Sequence, residues 1–341
     1  MRYGIIGCGR IHRNHAQAAI GLPEVELVGV ADVNPNNLAK ATSEWGVPGY
    51  EDFHDLIAAG VDAVGVCLPH HLHASVCIEL ANLGIHILCE KPLATSLKDC
   101  DDIIAAAEKN DVKLGVVFQH RFNPNVMLLH KLLTSGQLGK LIFGTALFQY
   151  YKNPNDSTYF EGSGWRGTWE REGGGVINTH AVHAVDLLCH FLGNVTEAKG
   201  LITALTHHQE VEDTGVGIFR FDSGALGTVA ASMSAGVKFE SKITISGTDG
   251  VATLTDSRKL EIEYLNGGQE KHIFDEPLDN PEFQTNLAYG RGHIAQLSDF
   301  ADAIRDNRIP LSDGNSARNT FFAVNSLYDN AGRDSILTMK K

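Results

Sequence analysis

The sequence is short of positive charge and of long apolar runs. Its 28 Lys and Arg residues stand against 41 Asp and Glu residues, for a formal net charge of −13. Nucleic-acid binding uses Lys and Arg to neutralise phosphates, so this balance argues against a nucleic-acid partner. No apolar run approaches the roughly 18 residues needed to span a bilayer, and Arg2 opens a predicted strand rather than a signal peptide. We therefore expect a cytoplasmic protein with no membrane partner.

Cysteine is scarce, scattered and without a Cys-x-x-Cys pair. The six cysteines are Cys8, Cys67, Cys77, Cys89, Cys100 and Cys189. In an unexported chain they are expected to be reduced thiols that pack as small hydrophobes. The chain also has no internal repeat and no low-complexity tract. Its 341 residues predict two domains at about 150 residues each.

Short apolar runs alternate with helical patterns over residues 1–120. Such alternation predicts right-handed βαβ units and an α/β domain with a doubly wound parallel sheet. The predicted strands are Arg2–Ile6, Glu26–Ala31, Asp62–Leu68, Ile85–Cys89 and Lys113–Phe118. The predicted helices are Ile11–Ile20, Asn36–Trp45, Leu72–Leu83 and Leu97–Lys109.

The pattern changes after Arg121, and residues 121–341 are predicted to form an α+β domain. Four to six closely spaced strands from Thr196 to Tyr264 suit an antiparallel sheet. Residues 265–290 are expected to be a long surface loop. The remaining predicted elements are helices Pro124–Leu133, Val176–Phe191, His293–Arg305 and Ser316–Tyr328, and a strand Leu141–Tyr151 that leads into a loop ending near Gly175.

A glycine turn follows the first predicted strand. The segment Gly7-Cys8-Gly9-Arg10-Ile11-His12 leads into a helix, where backbone N–H groups can approach a pyrophosphate. The dinucleotide fingerprint has Gly or Ala where this chain has His12. Asp32 ends the second strand, 25 residues after Gly7. A carboxylate there binds a ribose 2′-hydroxyl and repels a 2′-phosphate, so the turn predicts NAD rather than NADP; the alternative is a glycine turn with no ligand.

Two further segments carry groups suited to catalysis. Glu90-Lys91-Pro92 follows the fourth strand, at the sheet edge where open α/β sheets bind ligands, and a lysine there can stabilise a reacting oxygen. The second segment is the glycine run Gly173-Gly174-Gly175 and the helix after it, the glycine-led helix. That helix has a polar stripe at Thr179, His183, Asp186 and His190. The alternatives are a solvated surface lysine and a helix whose histidines are satisfied locally.

We expect no metal site. His180, His183 and His190 are candidate ligands, and so are His70, His71 and His73. However, His180-x-x-His183 lacks the glutamate of the H-E-x-x-H motif and is not a helical i, i+4 pair.

Together these segments resemble the Gfo/Idh/MocA oxidoreductases over nearly the whole chain. The matching pieces, in order, are Gly7-Cys8-Gly9, Leu68-Pro69-His70-His71-Leu72-His73, Glu90-Lys91-Pro92, Gln119-His120-Arg121-Phe122-Asn123-Pro124, the glycine-led helix, Val211-Glu212-Asp213-Thr214, the strand Gly224–Ser232 and Ile245-Ser246-Gly247-Thr248-Asp249-Gly250. The resemblance implies a Rossmann domain and a C-terminal α+β domain with a large, open, mostly antiparallel sheet. It also implies NAD(P)-dependent redox chemistry on a sugar, sugar nucleotide or cyclitol, and a homodimer or homotetramer packed through the open sheet.

The resemblance also assigns roles to residues. In this family the lysine of E-K-P and the histidine of the glycine-led helix flank the substrate carbon beside the nicotinamide, which maps onto Lys91 and His183. Relatives often have Asp or Asn where this chain has Thr179, a departure that argues against a standard inositol dehydrogenase. A threonine cannot ionise, although its hydroxyl can bond a substrate oxygen or the lysine.

The expected contacts follow from the same matches and from Trp165-Arg166-Gly167-Thr168-Trp169, which resembles a loop of many sugar-oxidising members; the alternative is two core-facing tryptophans. Expected cofactor contacts are Gly7, Gly9, Arg10, Ile11, Asp32, Leu68, Pro69, His70, His73, Glu90 and Lys91. Candidate substrate contacts are Arg121, Asn123, Trp165, Arg166, Thr179, His180, His183 and Asp186.

These observations predict an NAD-dependent dehydrogenase that oxidises a carbohydrate secondary alcohol to a ketone. His183 is the expected proton acceptor, and Lys91 the expected stabiliser of the oxyanion, although the two roles could be exchanged. Three alternatives remain open: reduction of a keto-sugar by the same residues, glycosidic cleavage through transient oxidation by bound NAD, and a non-catalytic sugar or nucleotide sensor.

Overall fold

The structure is a computed structural model that describes residues 1–155, 160, 164–235, 240–274 and 292–331. It divides into two compact units. The first comprises Met1–Phe122 and Pro277–Arg318, and the second comprises Asn123–Glu276 and Asn319–Lys341. The predicted boundary near residue 120 coincides with the end of the first segment. The chain then returns to the first unit near its C-terminus, which the prediction of a continuous second domain over 121–341 does not include.

A six-stranded parallel sheet forms the centre of the first unit. Its strands are β1 (Arg2–Ile6), β2 (Glu26–Ala31), β3 (Gly49–Tyr50), β4 (Ala63–Val66), β5 (His86–Cys89) and β6 (Leu114–Val116). Their order is β3-β2-β1-β4-β5-β6, the doubly wound order of Rossmann domains. Every residue of β4 is buried, as the continuous apolar runs predict for strands covered on both faces.

Five helices connect these strands. They are α1 (His12–Ile20), α2 (Pro35–Trp45), α3 (Phe53–Ala58), α4 (His73–Asn82) and α5 (Leu97–Lys109). The Asn34 side chain caps α2 by accepting a hydrogen bond from the backbone N of Asn36 at 2.9 Å. The four predicted helices are confirmed, whereas β3 and α3 were not predicted. A two-residue strand and a six-residue helix are too short to give a periodic signal.

A helix from late in the chain completes the first unit. Helix α9, Gly292–Arg305, contributes Leu297 and Phe300 to the apolar core that also contains Ala16 and Ala19 of α1. The Gln296 amide nitrogen donates to the carbonyl of Val116 at 2.7 Å, which ties α9 to the end of β6. This helix therefore packs beneath the sheet edge from which the predicted site residues extend.

An eight-stranded sheet forms the second unit. Its strands are β7 (Leu141–Gln149), β8 (Val195–Thr203), β9 (Thr214–Phe221), β10 (Leu226–Ser232), β11 (Glu240–Gly247), β12 (Gly250–Thr255), β13 (Lys259–Tyr264) and β14 (Gln269–Ile273). Their order is β14-β13-β12-β11-β7-β10-β9-β8, and only the β7–β10 pair is parallel. The expectation of a surface loop over 265–290 was wrong at β14, because the polar strand Gln269–Ile273 has no apolar alternation. Residues 275–290 of that predicted loop lie outside the described residues.

Helices cover one face of this sheet. They are α6 (Pro124–Thr134), α8 (Val182–Leu192) and the later part of α10 (Gly314–Ala331), whereas the short α7 (Trp169–Glu172) packs against α10 through Trp169 and Tyr328. A Cβ on Gly144 of β7 would lie 3.0 Å from Leu188 of α8, and one on Gly217 of β9 would lie 2.1 Å from Leu327 of α10. Glycine at these two strand positions lets the helices pack closely.

The opposite face of the sheet is exposed and carries an apolar patch on β8 and β9. On adjacent strands, Leu201 is 71% exposed, Val216 47% and Ile218 57%. Leu201 pairs with Val216 in the register of β8 and β9, so these side chains form a continuous patch. Within the described ranges, no helix is both long enough and apolar enough to cross a membrane.

Candidate active site

The glycine turn after β1 is held against the turn after β4. Gly7 has φ +96°, and a Cβ there would lie 2.5 Å from the backbone carbonyl oxygen of Cys67. Only glycine fits such a conformation at such a distance. A Cβ on Gly9 would meet nothing within 4 Å, so open space lies above the turn. The close approach at Gly7 and the open space at Gly9 fit a turn whose backbone holds a pyrophosphate.

Asp32 is fixed at the end of β2 beside that turn. Its Oδ2 accepts a hydrogen bond from the backbone N of Cys8 at 2.6 Å, and its Oδ1 accepts one from the backbone N of Asn34 at 2.7 Å. Burial and the charge of Asp32 raise the pKa of the Cys8 thiol to about 12, so this thiol stays protonated. Asp32 is therefore held beside the glycine turn, and its contact with the ribose of the cofactor stays a prediction.

The departure at His12 has a structural explanation. The His12 ring is buried and its Nδ1 bonds to the carbonyl oxygen of Gly9, while the ring edge packs on Trp45 with centroids 6.4 Å apart. Burial lowers the pKa of His12, which keeps the imidazole neutral. The two residues between Gly9 and His12 differ in exposure: Arg10 is exposed and Ile11 is half-buried.

Lys91 lies next to a buried carboxylate at the end of β5. Glu90 is 6% exposed; its Oε1 lies 3.2 Å from Nε2 of His15, and its Oε2 accepts a hydrogen bond from the backbone N of Lys91 at 3.2 Å. Burial alone would raise the pKa of Glu90, but the bond and charge of His15, with the charges of His293 and Lys91, hold it below its usual value. Glu90 is therefore an anion that fixes the backbone from which the Lys91 side chain extends.

His73 joins the loops that follow β4 and β5. Its Nδ1 lies 2.9 Å from the carbonyl oxygen of Pro92, and its Nε2 lies 2.9 Å from that of Leu68. The ring is fully buried, and burial lowers its pKa. The neighbouring His70 is buried with its ring centroid 5.8 Å from that of His73, and Pro69 is half-buried. The structure therefore shows His73 bracing the loop that carries Lys91; its predicted cofactor contact stays a prediction.

His120 is a neighbour of Lys91 that the sequence analysis did not single out. It follows β6 in the turn Gln119–Phe122, at the same sheet edge as Lys91. Burial and the nearby charge of Lys91 lower the pKa of His120 to about 4. The His120 imidazole is therefore neutral near the charge of Lys91. Its position after a parallel strand, as for Glu90-Lys91, is the signal that could have identified it.

Arg121 is buried in the first unit. Its guanidinium donates to the carbonyl oxygen of Leu311 and to the hydroxyl of Ser316, both at 3.2 Å, and lies over the Phe118 ring. Asn123 is half-buried at the start of α6 and does not cap that helix with its side chain. The substrate contacts predicted for these two residues stay predictions.

The second unit contains the glycine-led helix. The predicted continuous helix Val176–Phe191 is wrong in detail, because it begins with a π turn over Ile177–Ala181 that continues into α8. A π turn shifts the residues after it relative to those before it, so the predicted stripe is broken. Single π turns in helices are frequent at functional sites.

The side chains of the predicted polar stripe point to different partners. The Thr179 hydroxyl donates to the Gly175 carbonyl, whereas Asp186 is fully buried and accepts a hydrogen bond from the Thr320 hydroxyl at 2.9 Å. His190 stacks on His130 with ring centroids 4.2 Å apart.

The other two histidines of the same segment, like His190, are half-buried. His180 is half-buried and packs edge-on against Tyr150, with ring centroids 5.1 Å apart, and His183 is half-buried. Asp186 therefore has the environment of a structural residue, whereas His183 and His190 are both half-buried, and the catalytic role of His183 stays a prediction.

Trp165 and Arg166 form a stacked pair before α7. The Arg166 guanidinium lies 4.3 Å from the Trp165 ring centroid and makes a 2.8 Å ion pair with the buried carboxylate of Glu172. Trp165 is half-buried, and its predicted contact with a sugar stays a prediction. Within the described residues, no group of three His, Cys, Asp or Glu side chains could hold a metal ion.

Comparisons with known proteins agree with these features. Residues 1–118 match the model of the Gfo/Idh/MocA oxidoreductase family with an NAD-binding Rossmann fold, and residues 126–253 match the Gfo/Idh/MocA C-terminal domain. A myo-inositol 2-dehydrogenase from Thermotoga maritima is 30% identical over 257 residues, covering 73% of this chain and 74% of that protein. An inositol 2-dehydrogenase from Rhizobium meliloti is 27% identical and covers 92% of each chain.

A solved structure shows the same architecture. The WlbA dehydrogenase from Bordetella pertussis, in complex with NADH and UDP-GlcNAcA, has a TM-score of 0.84 and 29% identity, covering 98% of this chain and 96% of that one. The glycine turn at Gly7 and Gly9 and the carboxylate of Asp32 fit NAD, the cofactor named for the matching family model. The chain therefore belongs to the Gfo/Idh/MocA family of oxidoreductases and uses NAD as its cofactor.

Proposed function

We propose that the protein oxidises a secondary alcohol of a sugar, sugar derivative or cyclitol to the ketone, with NAD accepting the hydride. The observation that carries this proposal is that two residues lie at the same edge of the parallel sheet. They are Asp32, which is fixed beside the Gly7 turn, and Lys91, which follows β5. Relatives that cover most of the chain are inositol dehydrogenases, which supports a polyhydroxylated substrate.

Besides cofactor binding, the reaction needs a base and a cation from the protein. As the alcohol C–H leaves as hydride, the O–H proton must pass to a base, and charge grows on the oxygen. We assign the base to the His183 imidazole and the stabilising cation to the Lys91 ammonium, a fixed charge of the kind that favours a developing oxyanion. Glu90 holds the Lys91 backbone, and the neutral His120 adds no competing positive charge.

The substrate contacts are proposed from exposure and chemistry. Trp165 offers an apolar ring for a pyranose face, and Arg166 beside it offers donors to sugar hydroxyls. His180, half-buried beside Tyr150, can bond a further hydroxyl. Thr179 cannot ionise, and its hydroxyl already donates a hydrogen bond to the Gly175 carbonyl oxygen. It is therefore proposed as an uncharged hydrogen-bonding group and not as a residue that relays the substrate proton.

We also propose that the protein is a homodimer or homotetramer assembled through the open face of the second sheet. The exposed apolar patch of Leu201, Val216 and Ile218 supports this assembly, since monomers rarely expose such continuous apolar surface.

The activity is tested by screening sugars, cyclitols and sugar nucleotides for NADH absorbance. We expect at least one compound to produce NADH, and Lys91→Met to lower turnover about 10²–10³-fold, the scale of losing one electrostatic donor. Lys98→Met is the matched control, because Lys98 is 81% exposed and pairs with Asp102 on the surface of α5. A panel without any reaction, or a Lys91→Met protein within about threefold of wild type, would overturn the proposal.

A further inference from the structure

A buried carboxylate holds the start of the helix that carries His183. Glu212 is fully buried; its Oε2 accepts a hydrogen bond from the backbone N of Gly175 at 2.8 Å, and its Oε1 accepts one from the backbone N of Ile177 at 2.9 Å. The Glu212 carbonyl oxygen accepts a third from the backbone N of Val176 at 3.1 Å. One residue thus binds three successive N–H groups at the beginning of a helix, which otherwise lack intrahelical partners.

Tyr328 of α10 closes this arrangement from the other side. Its hydroxyl donates to Oε1 of Glu212 at 2.6 Å and accepts from the backbone N of Asn178 at 3.1 Å. The backbone passes so close that a Cβ on Gly174 would lie 2.5 Å from the Tyr328 hydroxyl, and one on Gly175 would lie 1.8 Å from the Glu212 carbonyl oxygen. The glycines are therefore required for the carboxylate and the phenol to reach the backbone.

We propose that Glu212 is a positioning residue that, together with Tyr328, fixes the glycine loop and the π turn and so sets the place of His183. The proposal rests on the proposed function, in which His183 accepts the substrate proton. The bonds from Glu212 and Tyr328 end at Asn178, one turn before His183, so a loosened carboxylate moves the whole π turn. Small displacements of a catalytic group of this kind have large effects on rate.

The ionisation of Glu212 gives this role a measurable signature. Burial raises the pKa of the Glu212 carboxyl to about 7, while the bonds from Tyr328, Ile177 and Gly175 oppose that rise. All three groups donate, so they suit a carboxylate. On protonation the acid hydrogen occupies one acceptor site, and one donor loses its bond.

Within the described residues, the titratable groups around Glu212 include Tyr328, Glu172 and Asp213. Tyr328 faces it from α10, and burial keeps the pKa of the Tyr328 phenol well above its usual value. Glu172 of α7 lies near Tyr328 and is paired with Arg166. Asp213, the next residue, turns to other backbone groups, accepting bonds from the backbone N atoms of residues 205–207.

The test uses Trp169, whose ring packs edge-on against Tyr328 with centroids 5.1 Å apart. In a Trp45→Phe/Trp165→Phe background Trp169 is the single tryptophan, since the chain contains three. Its fluorescence should show a transition with a midpoint near pH 7 that disappears in Glu212→Gln. In Tyr328→Phe the midpoint should rise by about half a pH unit or more, because a donor to the ionised form is lost.

The matched control is Asp213→Asn, which alters a buried carboxylate beside Glu212 that holds a different loop, and which should leave the midpoint unchanged. A transition that persists in Glu212→Gln contradicts the proposal. If Glu212→Gln does not fold, an unchanged midpoint in Tyr328→Phe contradicts it equally.

A kinetic measurement separates positioning from general stability. Tyr328→Phe should lower kcat about tenfold while the NAD dissociation constant stays within about twofold, since the carboxylate acts on the helix and not on the cofactor turn. Equal kcat in Tyr328→Phe and wild type overturns the positioning role. The fluorescence arm needs no substrate, so a failed sugar screen and a failed Glu212 proposal give different results.

Discussion

At the scale of single residues, Asp32 decides between the two nicotinamide dinucleotides. Its carboxylate is fixed by the backbone N–H groups of Cys8 and Asn34, so it cannot turn away from a 2′-phosphate without losing both bonds. We predict catalytic efficiency at least about tenfold better with NAD than with NADP, about 1.4 kcal/mol of discrimination. Asp32→Asn should narrow this ratio, because the amide keeps an acceptor for the Cys8 N–H and loses the charge. Equal use of NADP by the wild type would refute the prediction.

A second residue-scale prediction concerns His120. With a pKa of about 4, caused by burial and by the charge of Lys91, its ring should remain neutral at about pH 5.5. In Lys91→Met the pKa should rise, since the second cause is removed, and in the control Lys98→Met it should not change. Ring-proton NMR across the pH range measures both. A wild-type ring that titrates at its ordinary value would show that His120 does not face Lys91.

The lowered pKa of His120 also makes the free energy of unfolding depend on pH. The folded-state pKa of His120 lies below its ordinary value of 6.5, so its contribution to folding is present above about pH 6.5 and is lost as the pH falls towards about 4. Because Lys91→Met should raise the folded-state pKa of His120, the loss of stability on acidification should be complete at a higher pH than in the wild type.

At the scale of elements, the buried bond between Asp186 and Thr320 joins α8 to α10. Thr320→Val keeps the side-chain shape but leaves a fully buried carboxylate with one donor fewer. We predict a loss of about 1.5–3 kcal/mol in the free energy of unfolding, the range for hydrogen bonds to charged groups. Urea denaturation measures the loss, and the KM of the sugar substrate should not change. A raised KM with unchanged stability would instead favour the predicted contact of Asp186 with substrate.

The elements also show what the sequence allows one to predict. The strands Arg2–Ile6 and Glu26–Ala31 and the helix Leu97–Lys109 were predicted to the residue, because continuous apolar runs and a clear Ser96 cap mark their ends. The two-residue β3 and the polar β14 carry no such signal. The π turn before His183 is set by Glu212 and Tyr328, and Tyr328 lies more than a hundred residues away in the chain.

The candidate site divides in the same way. The glycine turn, Asp32 and Lys91 were identified from their positions after strands, because parallel topology brings those positions to one edge. The partner of Asp186 could not be predicted, since helical periodicity gives the face of a side chain and not what covers it. His120 could have been predicted. The segment that contains it was recognised, but its position directly after a parallel strand was not used.

At the scale of the whole molecule, the open sheet face should govern assembly. Ile218→Asp places a charge within the exposed apolar patch, where burial in an interface would remove the hydration of that charge. We predict that the variant shifts towards the monomer in light scattering at a concentration where the wild type is oligomeric. Ile20→Asp is the control, because Ile20 is 50% exposed on α1 of the first unit. If the wild type is monomeric, or if Ile218→Asp assembles as the wild type does, the proposed interface is wrong.

Isotopic labelling shows whether this chain moves a hydride from a carbohydrate carbon to NAD. The substrate found in the screen is prepared with deuterium at the alcohol carbon, and the reduced nicotinamide is analysed by mass spectrometry after one turnover. We predict one deuterium in the nicotinamide for the wild type, and at least about 10²-fold slower labelling in Lys91→Met and in His183→Asn. Reduced nicotinamide without deuterium, or no reduction of NAD by any carbohydrate, would contradict it.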